Sequence, residues 1–193
     1  MLTNKAKSVD EAAASITKSD GAKEGIRGGG VFRIECRDSE GSLKWAAESE
    51  NLVVNVGLQD MNTQYFKGVS YTAAWYIGLY GAAASNNPAA SDTAASHAGW
   101  TEIDPYSNAT RPAATFGTAS TADPSIITNS ASPAQYNINA TATVGGAFLI
   151  SNSTKLGTTG TLFSAADFQA PGDRSVTSGD TLNVTYTFSL DAA

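Results

Sequence analysis

One cysteine, Cys36, and one histidine, His97, occur in the 193 residues. A single thiol rules out an internal disulfide, and one Cys with one His cannot build a Cys/His zinc cluster. His97 has Ser96 beside it and Asp92 and Glu102 nearby in sequence. A hydrolase triad needs its members presented to one another across a fold, which neighbours on one loop rarely achieve. A loop histidine bonded to backbone is the expectation. Charged residues are only 16% of the chain, too few for a long disordered polymer held open by its own charge. The net charge of −6 argues against nucleic acid as a partner, because phosphate contacts dominate such binding. Long apolar runs are missing too. The uncharged stretch 68–91 is broken by Gly78, Gly81 and Asn86-Asn87-Pro88, whereas a membrane span needs roughly 20 mostly apolar residues. Met1-Leu2-Thr3-Asn4-Lys5 opens no apolar signal segment. Gly28-Gly29-Gly30 has neither the spacing nor the lysine of a phosphate loop. Asp92, Asp123, Asp167, Asp173 and Asp180 lie near turns, where Asp commonly bonds backbone, and match no EF-hand spacing. Catalytic residues, metal and cofactor are therefore expected to be none.

What the chain has in abundance is alternation. Over residues 181–190, Leu182, Val184, Tyr186, Phe188 and Leu190 fall on every second position, with Thr, Asn and Ser between them. Successive strand side chains point to opposite faces, so this segment is a strand with one apolar and one hydroxyl-rich face. Ser178-Gly179-Asp180 before it reads as a tight turn. Phe32, Ile34 and Cys36 alternate in the same way, and Asp38-Ser39-Glu40-Gly41 turns the chain into a second strand at Leu43-Lys44-Trp45. Residues 72–80 read as a strand in which Trp75, Ile77 and Leu79 alternate with Tyr76, Gly78 and Tyr80, apolar on both sides, as in a central strand. Trp75, Tyr76 and Trp100 could stack on sugars, but core aromatics are the commoner reading in a sandwich. Ile126-Ile127 reads as a short edge strand, residues 135–144 as one alternating strand and residues 146–150 as a buried one, with Phe148 expected in the core beside Leu182, Val184, Tyr186 and Phe188. Leu58, Met61, Tyr65 and Phe66 have helical spacing, closed by Lys67-Gly68.

Many short strands with one helix predict an all-β, two-sheet β-sandwich, jelly-roll-like, with an extended N-terminal arm. The expected organisation is an arm over 1–30, a β-hairpin over 31–55 joining it to the body, and the sandwich body over 56–193. The arm is polar, with a possible short helix starting at Ser8. Eight of the twelve cations lie in the first 45 residues.

A set of motifs then resembles a widespread family of tailed-bacteriophage virion proteins. It comprises Asn51-Leu52-Val53-Val54-Asn55-Val56-Gly57-Leu58, Thr72-Ala73-Ala74-Trp75-Tyr76-Ile77-Gly78-Leu79 and the run from Asp92 through His97 and Trp100 to Glu102. Ala109-Thr110-Arg111-Pro112, Gly145-Gly146-Ala147-Phe148-Leu149, Gly160-Thr161-Leu162-Phe163-Ser164 and Ser178-Gly179-Asp180-Thr181-Leu182 complete it. The resemblance spans about residues 31–193. It implies a non-enzymatic structural component of the particle, similar to capsid cement or decoration proteins encoded beside the major capsid protein. Such a protein is made in the host bacterial cytoplasm and resides on the capsid surface of the virion. The expected partner is the major capsid protein, with a homo-oligomer (dimer or trimer) and no contact with nucleic acid or membrane. Lys5, Lys7, Lys18, Lys23 and Arg27 are the expected electrostatic contacts, and Phe32, Ile34 and Trp45 the apolar anchors. A neck or tail accessory protein and a glycan- or receptor-binding module are the alternatives.

Overall fold

The computed structural model describes residues 26–68, 74–81, 88–168 and 172–192. The predicted arm lies almost wholly outside them, including Lys5, Lys7, Lys18, Lys23 and the helix expected at Ser8. Two antiparallel sheets pack face to face. The first orders β2 (Leu43–Glu50), β1 (Ile26–Arg37), β11 (Thr181–Ala192) and β6 (Ser125–Thr128), with β7 (Ala134–Asn137) also on β11. The second orders β3 (Leu52–Val53), β9 (Leu162–Asp167), β8 (Ala142–Ile150), β4 (Tyr76–Gly81) and β5 (Glu102–Ile103), with β10 (Arg174–Val176) on β8. Pairing is nested: β1 with β11, β3 with β9 and β4 with β8. The chain is thus rolled from both ends inward, which is the jelly-roll-like arrangement.

The alternation of β11 does what its pattern requires. Leu182, Val184, Tyr186 and Phe188 are buried between the sheets, facing Ile77, Leu79, Val144, Ala147, Leu149 and Phe163 of the second sheet. Tyr136 donates its hydroxyl to Ile77 O at 2.6 Å and so ties one sheet to the other inside the core. Between β6 and β7 the buried Asn129 stands in for ladder bonds. It accepts from Tyr186 N at 2.7 Å and donates to Val184 O.

Four expectations need correction. First, β1 begins at Ile26, so Gly28, Gly29 and Gly30 are strand residues opposite Leu190, Ser189 and Phe188 and do not close an arm. A Cβ at Gly28 would lie 3.1 Å from the Phe188 ring, and one at Gly30 2.7 Å from Tyr186 Oη; the missing side chains make room for the rings of β11. Second, the hairpin over 31–55 is no connector: β1 is the inner neighbour of β11 along its whole length. Third, residues 135–144 do not form one strand. β7 ends at Asn137 in one sheet and β8 starts at Ala142 in the other, and Ile138 at the corner is held by Asp180 O. Uninterrupted alternation cannot report such a corner, because inward-facing positions continue through it. Fourth, Phe148 does not share the inter-sheet core. It lies on the opposite face of the second sheet with Tyr80, Trp100, Ile150 and Leu162.

That second face is covered by the loop over 88–101 and by the start of α1 (Asn55–Lys67). The helix follows β3 directly and packs on β9. Gly57 touches the strand, where a Cβ would lie 2.4 Å from Phe163 O. Gly68 ends the helix in the left-handed conformation, φ 61°, as its sequence predicts.

Candidate partner-contact surface

The expected contact residues divide sharply. Phe32 and Ile34 are 1% and 0% exposed, in the core against Tyr186 and Val184. They face inward because β1 is a central strand, so they offer no surface and are withdrawn as anchors. Trp45 is half-buried. Its indole N–H donates to Ser175 O at 3.0 Å and its ring meets Phe168 edge-on, closing the seam between the two sheets. Arg27 is exposed at the start of β1, opposite Asp191.

His97 behaves as its loop position suggests. Its Nδ1–H donates to Trp100 O at 2.8 Å and its ring stacks on the Trp100 indole at 3.9 Å. Asp92 is buried and accepts from Trp100 Nε1 and from Ala89 N, both at 2.9 Å. These three residues fix the loop over 88–101 upon the second sheet. Trp100 itself is 3% exposed, so it presents no stacking face to a sugar.

A second polar constellation was not legible as a unit. Arg111 is 1% exposed and forms a fork with Glu102: Nε to Oε1 at 2.8 Å and Nη2 to Oε2 at 2.6 Å. The same guanidinium donates to Asn152 O at 2.8 Å and Gly157 O at 3.1 Å, while Glu102 also accepts from Leu156 N at 2.9 Å. Every charge here is spent on holding three chain segments together. The signal available in the sequence was scarcity: only four cations follow residue 50, so an arginine flanked by Ala, Thr and Pro invites a structural role. Asp180 forms a comparable knot. It takes Lys44 Nζ at 2.6 Å and Thr177 N at 2.8 Å. Burial alone would raise its pKa, but the Lys44 ammonium and the Thr177 donors outweigh it and hold the carboxyl below its usual value. Cys36, fully buried beside Asp180, has its thiol pushed up to about 12 by burial and by that carboxylate, which makes it inert as a nucleophile. Among the described residues no group of three or more His, Cys, Asp or Glu side chains converges as a metal site.

Among the large apolar side chains open to solvent, three lie on α1. Tyr65 is 84% exposed, Phe66 77% and Leu58 49%. The Tyr65 and Phe66 rings meet edge to face at 5.0 Å. Of the four residues at helical spacing, only Met61 packs partly against the core. The helix meets the sandwich through Val56, Gly57 and Met61, not through a broad apolar stripe, so Leu58, Tyr65 and Phe66 are left outside. Amphipathic spacing located the helix correctly but said nothing about what would cover it. Comparison with protein families, with curated proteins and with solved structures returns no match for this chain.

Proposed function

We propose that this chain is a non-enzymatic structural protein of a tailed-phage particle. Its role is that of a capsid cement or decoration protein, which binds the outside of the head as a homo-oligomer and ties neighbouring major capsid subunits together. The motif resemblance over residues 31–193 supports the class. The observation that carries a docking role is the exposed aromatic pair Tyr65 and Phe66, with exposed Leu58 two turns earlier on the same helix, packed on the sandwich. Exposed aromatic groups clustered on a small protein are typical of contact sites, and buried aromatics supply most of the binding energy at protein interfaces. In this reading α1 takes over the anchoring role that Phe32 and Ile34 cannot play.

The test is a density map of whole particles. Copies spread over the entire shell with α1 seated on capsid subunits support cement. A single ring at one vertex would place the protein in the neck or tail instead. In solution, Tyr65→Ser with Phe66→Ser should abolish decoration of heads lacking the protein while leaving the fold intact. Undiminished decoration by that variant would show that α1 is not the contact.

A further inference from the structure

Leu156 joins a strained backbone to an exposed apolar side chain. Its φ is 57°, in the left-handed region, and every other described residue with positive φ is a glycine. A Cβ in that conformation crowds the following carbonyl, so it persists only where the surroundings hold it. Here they do. Leu156 N donates to Glu102 Oε2 at 2.9 Å, and Arg111 donates to Gly157 O at 3.1 Å and to Asn152 O at 2.8 Å. Arg111 N also donates to Ser153 O at 2.8 Å, and Lys155 Nζ reaches Tyr106 O at 3.1 Å and Asp104 at 3.4 Å. The backbone is thus pinned on both sides of Leu156. Its side chain is 56% exposed and belongs to neither core cluster. Glycine or asparagine would meet the same backbone requirement with less strain. The packing of the fold gives no reason for a leucine at this place; a contact outside the fold does.

We infer that Leu156 is a pre-set apolar anchor for a protein partner, namely the capsid surface that α1 contacts; this rests on the cement reading. The chemistry of the partner follows from the charge around the loop. Lys155 is the single charged residue in 151–161 and already pairs with Asp104, so the rim around Leu156 is Ser, Asn, Thr and Gly. An apolar centre with a neutral, hydrogen-bonding rim suits an uncharged socket on a protein. It leaves no unpaired cation for the phosphates of a nucleic acid or a lipid headgroup. Placement favours the same partner as α1. Val53 pairs with Ser164, Val54 N donates to Phe163 O, and α1 starts at the next residue. The loop that carries Leu156 leads from Ile150 into Leu162. The loop and the first turn of α1, with exposed Leu58, therefore leave the second sheet at one end, where a single partner surface can meet both. A loop already fixed by Arg111 and Glu102 loses little freedom on binding, which favours affinity.

The test replaces the side chain and keeps the backbone. Asparagine tolerates the left-handed conformation and carries no apolar group. Leu156→Asn should therefore have a urea midpoint equal to or above that of the unaltered protein. Its Kd for heads lacking the protein should rise at least about tenfold, and Leu156→Gly should show the same rise. A lowered midpoint in Leu156→Asn would show that the side chain serves the fold and would overturn the inference. An unchanged Kd in both variants, with the unaltered protein bound, would overturn the inference alone. If the unaltered protein binds no heads, the cement reading fails and this inference fails with it.

Discussion

Replacing Arg111 by methionine should be among the most damaging single changes in this protein. The side chain is fully buried, and Met keeps its apolar stem while deleting four hydrogen bonds. Glu102 is then left buried with only Leu156 N as donor. Removing one partner of a buried pair costs roughly 3–5 kcal/mol, because the other charge stays desolvated and uncompensated. For a domain of this size that is a drop in Tm of roughly 6–20 °C. The double variant Glu102→Met/Arg111→Met discriminates further. Buried ion pairs can often be replaced by apolar residues at no net cost. Here the pair also serves Asn152 O, Gly157 O and Leu156 N, half-buried or exposed backbone groups whose lost bonds each cost less than the roughly 1–3 kcal/mol of a fully buried orphan. The double variant should therefore recover only part of the loss. Urea midpoints at constant m-value give the numbers, and exchange of the Leu156 amide reports the loop directly. A double variant as stable as the unaltered protein would refute the view that this pair holds the loop over 152–157.

Three further outcomes follow from the packing and the charges. Gly57→Ala, which would favour an isolated helix by about 1 kcal/mol, should instead lower the urea midpoint, since the new methyl would meet Phe163 O at 2.4 Å. A raised midpoint would mean that α1 shifts freely on β9. Phe188→Ala should cost roughly 3–5 kcal/mol through the cavity left beside Phe163, also read from urea midpoints; a loss below about 1 kcal/mol would place Phe188 outside the core. Asp180, with its folded pKa lowered, stabilises the fold at pH above its unfolded value of about 3.9 and loses that contribution as pH falls through the folded value. Lys44→Met should raise the Asp180 pKa, visible in carboxyl carbon NMR titration, and so shrink the part of the stability that is lost on acidification. An unchanged titration would show that Lys44 does not hold the carboxylate.

The sequence by itself determined the local elements, because period and turn chemistry are local properties. Alternation in β11, the Asp38 and Asp180 turns, and the helix stopped at Gly68 can be read without knowing what packs on them. It also determined that His97 would serve its own loop, since its neighbours in sequence could only be neighbours on that loop. The tertiary structure alone decided which apolar residues were core and which were left exposed. Phe32 and Tyr65 are both large aromatics in amphipathic patterns. One is buried because β1 lies between β2 and β11, and the other is exposed because α1 meets the sandwich through Val56, Gly57 and Met61 and leaves Tyr65 outside that contact. The sheet corner after β7 and the pairing of Arg111 with Glu102 likewise join segments whose separation in sequence carries no distance information.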